Sequence, residues 1–550
     1  MRFLAPYTIP VLLLGACATV GTTTTPAAPA APPPVSAPRA PITEAPPDWQ
    51  LLDATVDGVP GISARRAERE LLAGRQPQRP ITVAVIDIGV DTAQLDLRPN
   101  LWTNAREIPG NRTDDDRNGY VDDVRGWNFI GGPDGRNVDD DTYEVTRLYR
   151  RCTAGAGGGP APTLSPAERE GCGRITADFE KKRAEMQQNV AVIRMLEDTL
   201  KTVIPLLTAA VAPDSLTVAR VQALRPTRAD LRDARDMYLR LASNGITPAI
   251  LRKEGETVRG LLEFGLNPSF DPRGIVGDDP SDLTQRNYGN ADVTGPDALH
   301  GTHVAGIIGA VRNNGIGIDG IASAVRIMSV RAVPNGDERD KDIANAIRYA
   351  VDNGAQIINM SFGKSYSPQK AAVDDAARYA DSRGVLIVHA AGNDGEDVET
   401  SPSFPTPAYL GGGNAANWIE VGASSWRGGK ALAAEFSNFG TQKVDVFAPG
   451  VDILSTAVGG GTARESGTSM AAPVVSGLAA LLMSYYPKLT AADVKRIIMR
   501  SAVPFRDVMV VRPGSNDGKT VPFGSLSSTG GIVNAYTALK MAEEMSRVVP

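Results

Sequence analysis

The chain has 550 residues, with 57 basic against 63 acidic side chains for a net charge of −6, and 42% hydrophobic residues. This balance excludes nucleic-acid binding as the main task, and no unbroken apolar run of about 18 residues offers a membrane span. Three cysteines are too few for a disulfide-built scaffold, so a soluble body of several domains, or one large α/β domain with additions, is expected.

Met1 to Ala16 holds one charge, Arg2, and the short apolar stretch Val11-Leu12-Leu13-Leu14, the size of a signal-peptide core. It ends in Leu14-Gly15-Ala16-Cys17, which resembles the lipobox of bacterial lipoproteins. That resemblance implies removal of residues 1–16, lipidation of Cys17 and residence in the cell envelope outside the cytoplasm, at the outer membrane or its periplasmic face. Thr22 to Pro47 is almost wholly Thr, Ala, Pro and Ser, so 17–48 reads as an extended tether. Within residues 49–80, Ala64 to Ala73 (ARRAERELLA) reads as a packing helix.

Next, Ile81 to Asp87 is apolar without alternation, the pattern of a strand buried on both faces of a parallel sheet. Asp87, followed by Gly89, sits at its carboxyl end, where α/β sheets place functional groups. Asp114 to Asp123 sets oxygen-bearing residues at alternate positions with Gly119 sixth. Asp114, Asp116, Asn118, the Tyr120 carbonyl and Asp122 or Asp123 would make an oxygen shell for structural calcium; an acidic surface loop is the other reading.

From 131 to 264 runs an insertion that turns helical after the Gly/Ala patch Ala154 to Ala161. Met186, Val190, Ile193, Leu196, Leu200, Val203 and Leu207 recur at spacings of three and four, a stripe expected to face the core of three or four helices. Pro205 is expected to end or kink that helix, while Thr227 with Asp230, and Thr247 before Pro248, mark further starts. With Cys17 lipidated, Cys152 and Cys172 remain, and outside the cytoplasm they are expected to form a disulfide.

Histidine occurs at three positions, His300, His303 and His389. The spacing in His300-Gly301-Thr302-His303-Val304-Ala305-Gly306 could suggest a zinc pair, but no glutamate intervenes and no third ligand follows. The small residues instead let a helix start in tight packing with one imidazole at its N-terminus. Asp337, Glu338, Asp340 and Asp342 read as a solvated loop. Val385 to Asn393 is a further buried strand, ending in small residues and an amide. Gly467-Thr468-Ser469-Met470-Ala471-Ala472-Pro473 puts Ser469 at the mouth of a buried helix.

The order of Asp87 in VAVIDIGVD, His300 in HGTHVAG and Ser469 in GTSMAAP closely resembles the subtilisin-like serine proteases, over about residues 78–130 and 265–540. The stretches IINMSFG, FSNFG, VFAPG and GIVNA agree with it. The resemblance implies a three-layer α/β fold with a mainly parallel central sheet, in a catalytic domain of 49–130 and 265–550 that carries the helical insertion 131–264. It implies an endopeptidase acting on proteins or peptides, with Ser469 as nucleophile, His300 as general base, Asp87 orienting the imidazole, and Asn393 with the Ser469 N–H as oxyanion donors. Ser361, Phe362 and Gly363 would pair with extended substrate, and Ala390, Ala391 and Gly392 would wall a roomy apolar primary pocket. The acidic stretch at Asp337 falls near the family's other substrate-binding segment, and His303 and His389 are assigned to packing. The competing reading is a catalytically silent lipoprotein using the fold as a binding module. Serine-carboxyl peptidases carry acidic groups where His300 and Asn393 stand here, and are set aside.

Overall fold

The structure is a computed structural model that describes residues 42–154, 166–211 and 216–548. The expected signal peptide, Cys17, most of the tether and most of the Gly/Ala patch lie outside the described residues.

A nine-stranded sheet forms the centre. Its first seven strands are Ile81–Asp87 (β1), Gly126–Asn128 (β2), Val325–Arg331 (β3), Ile357–Met360 (β4), Leu386–Ala390 (β5), Trp418–Ser424 (β6) and Val446–Pro449 (β7). An antiparallel hairpin, Ile453–Thr456 (β8) with Thr462–Glu465 (β9), stands apart from it. Val503–Pro504 (β10) follows, then the small hairpin Met509–Val511 (β11) with Thr520–Pro522 (β12), and last Gly531–Ile532 (β13). The sheet order is β10-β13-β7-β6-β5-β4-β1-β3-β2, parallel throughout except for the β10–β13 pair.

The helices are Ala64–Leu71 (α1), Glu144–Thr153 (α2), Pro166–Val211 (α3), Val218–Ala223 (α4), Ala229–Ser243 (α5), Pro248–Gly260 (α6), Leu299–Gly309 (α7), Asp340–Asp352 (α8), Lys370–Ser382 (α9), Thr468–Tyr485 (α10), Ala491–Ser501 (α11) and Ala535–Val548 (α12). Side chains alternate across a strand, and β1 shows what that does here. Val83 and Val85 join a core with Val304 of α7, Leu478 of α10, Val494 of α11 and Leu539 of α12. Ala84 and Ile86 face the opposite core with Ile343 of α8 and Val373 of α9. Three layers result, as the apolar run of β1 requires.

The segment before β1 belongs to the first core: Trp49, Leu51 and Ile62 are fully buried, and Trp49 Nε1 donates to the Val451 carbonyl at 3.0 Å. Helix α10 has a mean hydropathy of 1.4 over 18 residues, enough by length and composition to cross a membrane. The count of unbroken apolar residues overlooks it because Thr468, Ser469, Ser476 and Ser484 interrupt the run. All of α10 is buried at the centre of the body.

The insertion holds α2 to α6, more helices than the three or four expected. Leu200, Val203 and Leu207 of the stripe are buried, and Met186 and Leu196 pack at cluster edges. Pro205 does not end its helix; α3 continues to Val211, with Val203 and Leu207 held in one cluster on either side of the proline. Thr247 caps α6 by accepting from the Ile250 N–H at 3.2 Å, with Pro248 at the first helical position. Thr227 does not cap α5; the cap position falls on Arg228, which pairs with Asp230 in the first turn. Cys152 at the end of α2 and Cys172 near the start of α3 form a disulfide with Cα atoms 5.5 Å apart.

Candidate active site

Asp87 ends β1 and His300 lies in the first turn of α7, so the two meet only if that helix comes close to the strand end. Gly301 permits it: a Cβ there would stand 2.1 Å from the Gly89 carbonyl oxygen and 3.2 Å from Asp87 Cβ. His300 Nδ1 and Asp87 Oδ1 are 2.7 Å apart. The carboxylate thereby fixes the ring's orientation and leaves Nε2 with no hydrogen-bond partner among the described residues.

Ser469 lies in the first turn of α10, where backbone N–H groups have no intrahelical acceptor. Pro473, four residues on, has no N–H to offer the Ser469 carbonyl. Ser361 fills that gap, its hydroxyl donating to the Ser469 carbonyl at 2.9 Å while the Ser469 hydroxyl donates to the Ser361 carbonyl at 3.0 Å. Asn359 and Ser476 brace this clasp: Asn359 Nδ2 donates to Ser361 Oγ at 3.0 Å, and Ser476 Oγ to Asn359 Oδ1 at 2.8 Å.

Asn393, beyond the end of β5, accepts through Oδ1 from the Thr468 N–H at 2.8 Å and its hydroxyl at 2.9 Å. That aims the amide at the start of α10 and keeps Nδ2 uncommitted among the described residues. Asn438 holds the loop from behind: its Nδ2 donates to the Ala391 carbonyl at 2.9 Å, and its Oδ1 accepts from the N–H groups of Asp394 and Glu396 at 3.0 and 2.9 Å. An anion between Asn393 and the α10 N-terminus would meet side-chain and backbone donors together.

Ser361 and Phe362 are buried beside this clasp, and Ala390, Ala391 and Gly392 follow on the neighbouring strand. His389 joins the two segments, with Nε2 donating to the Phe362 carbonyl at 2.9 Å and Nδ1 at 2.8 Å from Glu420 Oε1. His303 serves packing as well: Nε2 lies 3.0 and 3.1 Å from the carbonyls of Ile453 and Ala463, tying α7 to the β8–β9 hairpin. Burial pushes its imidazole down to about 4, so it is neutral at ordinary pH.

The acidic loop departs from the expected ligand set. Asp122 turns away to accept from the N–H groups of Gly110 and Arg112, both at 2.8 Å. Asp123 is fully buried and accepts from Asn104, Asn118 and Tyr349; burial pushes its carboxyl up to about 6 despite those bonds. Asn118 spends its side-chain oxygen on the Tyr120 N–H at 2.8 Å. The group that converges is Glu107, Asp114 and Asp116, whose candidate ligand oxygens lie within 4.8 Å of one another. Glu107 Oε2 is buried without a hydrogen-bond partner among the described residues, while Arg106 pairs with Asp116 at 2.8 Å. Three carboxylates against one cation, one oxygen orphaned, fit a hard divalent cation such as calcium.

The segment from Asp337 to Asp342 is not a solvated loop. All four carboxylates are buried: Asp340 pairs with Lys364 at 2.8 Å and Asp342 with Arg273 at 2.6 Å. Cationic partners outside the segment reverse the expectation.

The sequence profile of the subtilase family matches residues 78–530 of the chain. The chain is 43% identical over 219 residues to a thermophilic serine proteinase of Bacillus sp. (strain AK1), covering 40% of this chain and 49% of that protein. It is 33% identical over 253 residues to a cell wall-associated protease of Bacillus subtilis (strain 168), covering 46% and 26%. It is 35% identical over 237 residues to a subtilisin of Bacillus pumilus, covering 42% and 76%. Half or less of the length of the first two relatives is spanned.

Proposed function

The chain belongs to the subtilase family, and from that premise we propose that it is a serine endopeptidase cutting protein or peptide substrates. The observation that carries this reading is the 2.7 Å contact of His300 Nδ1 with Asp87, which leaves Nε2, the nitrogen needed as base, unspent. For attack the Ser469 hydroxyl would have to leave the Ser361 carbonyl and donate to that nitrogen instead. Ser469 Oγ then bonds to the scissile carbonyl carbon as its proton passes to Nε2, and Asp87 stabilises the imidazolium. The oxyanion takes hydrogen bonds from Asn393 Nδ2 and the Ser469 N–H. One such donor contributes about 3–4 kcal/mol in subtilisin, the protein on which that magnitude was established. The C–N bond breaks as Nε2 returns the proton to the leaving amine, and water repeats the sequence to free Ser469. Ser361 to Gly363 would line the extended substrate, with Ala390, Ala391 and Gly392 walling the primary pocket.

Glu107, Asp114 and Asp116 would hold calcium, which neutralises their mutual repulsion and stiffens the loop away from the chemistry. Lipidated Cys17, supported by the Leu14-Gly15-Ala16-Cys17 sequence and the tether after it, would hold the enzyme to a membrane in the cell envelope. Palmitate labelling that persists in Cys17→Ala would reject that anchor. A silent binding module gains no support from a site that keeps all four groups. Casein hydrolysis tests the activity: Ser469→Ala should lose it while retaining the melting curve, and full cleavage by that variant excludes Ser469 as nucleophile.

A further inference from the structure

Parallel α/β sheets bind ligands beyond the carboxyl ends of their strands, and here the insertion docks on that same crest. The Glu144 N–H, at the start of α2, donates to Asp337 Oδ2 at 2.8 Å. Arg147 Nη2 donates to the carbonyls of Asp337 and Glu338 at 3.1 and 3.3 Å, and to Glu144 Oε2 at 2.6 Å. From the opposite side Lys364 Nζ donates to the Glu338 carbonyl at 2.7 Å and to Glu144 Oε2 at 3.1 Å. Just before α2 the chain runs alongside the same segment. The Asn335 N–H donates to the Asp139 carbonyl at 2.8 Å, and the Asp141 N–H to the Asn335 carbonyl at 3.0 Å. A Cβ on Gly336 would stand 2.1 Å from the Asp141 carbonyl oxygen, so only glycine admits this approach.

The carbonyls of Asn335, Asp337 and Glu338 each accept a hydrogen bond from the insertion, and that of Glu338 a second from Lys364, so the chain itself lies along this segment. Lys364 is the residue after Gly363. A peptide lying along Ser361 to Gly363, outward from Ser469, meets the Lys364–Glu338–Arg147 tie after about three residues of roughly 3.3 Å each. The tie is built to stay shut. Arg147 and Glu144 keep 8% of their side chains exposed and Lys364 2%, so opening it would strand buried charges. Tyr149 of α2 stacks on Phe179 of α3 at 4.0 Å, and the Cys152–Cys172 disulfide pins the far end of α2.

We propose that helix α2 and Lys364 form a fixed wall ending the acyl side of the substrate cleft, so that the enzyme reads no more than about three residues before the bond it cuts. The inference rests on the peptidase reading above, with Ser469 as nucleophile. It is tested with N-acetylated peptide nitroanilides carrying one to five residues before the scissile amide, on wild type, Arg147→Ala and Lys364→Met. In wild type kcat/KM should climb to the third residue and change less than about twofold on adding the fourth and fifth. Either variant that folds should gain at least about fivefold from the fourth residue. A wild type gaining about tenfold or more from its fourth residue overturns the wall even if neither variant folds, and so does a folded variant with the wild-type length profile. A wild type that cuts no peptide of any length overturns the peptidase reading itself, and the wall with it.

Discussion

Leu478 of α10 shares one continuous buried cluster with residues from Trp49 to Ala542, whereas Leu207 of α3 sits in a cluster whose other buried members are Val203, Val221 and Ala234. The first cluster joins strands and helices drawn from most of the catalytic body. The second contains insertion residues alone. The insertion meets the body elsewhere, through Val145, Phe179, Leu266 and Tyr366 and through the charged tie around Arg147. A large core makes the body fold as a unit, while small clusters allow the outer insertion to open separately.

The largest expected effect follows from that contrast. Leu478→Ala should cost about 2–5 kcal/mol and lower the main melting transition together with the activity. Leu207→Ala should lower an earlier transition and leave peptide hydrolysis within about twofold. A single calorimetric transition, moved alike by both substitutions, would mean that body and insertion fold as one.

Calcium sharpens the contrast from the body's side. At 100 times its dissociation constant it should add about 2.7 kcal/mol by mass action. Chelation should lower the main transition of wild type and leave Asp114→Ala/Asp116→Ala unmoved. Equal shifts in both proteins would reduce the cluster to an acidic surface.

A further test lies at the junction. Glu338 is buried with neither carboxyl oxygen hydrogen-bonded among the described residues, and burial pushes its carboxyl from 4.5 up to about 8 against the pull of Lys364. Between those values the folded protein keeps a proton that the unfolded chain has lost. Stability should therefore fall as pH rises from 4.5 to 8 and level off above. Glu338→Gln should flatten that slope, read as urea midpoints at pH 5, 7 and 9. Parallel slopes in variant and wild type would assign the dependence to other groups.

The sequence shows the body far better than the junction. Asp87, His300, Asn393 and Ser469 stand in contiguous motifs whose small neighbours, such as Gly301, exist to bring them together. The both-faces burial of β1 is likewise written in its unbroken apolar run. Glu107 escapes a reading by spacing because it lies outside the acidic stretch it joins, and Asp123 is misassigned by that reading because Tyr349, far along the chain, claims it. Asn359 could have been found as the polar residue in an otherwise apolar strand, and Asn438 as the amide inside FSNFG, although each role depends on a partner many residues away. The insertion announces its helices by periodicity. The charged part of its docking rests on Arg147 and Lys364, which look in sequence like ordinary solvated side chains.

The central claim is that Ser469 is the nucleophile, activated by His300 under the hold of Asp87. A fluorophosphonate adduct located by mass spectrometry tests it most directly. Wild type should carry one adduct, on Ser469, and His300→Ala should label far more slowly at the same residue. An adduct on any other residue, or undiminished labelling of Ser469→Ala, would contradict the account.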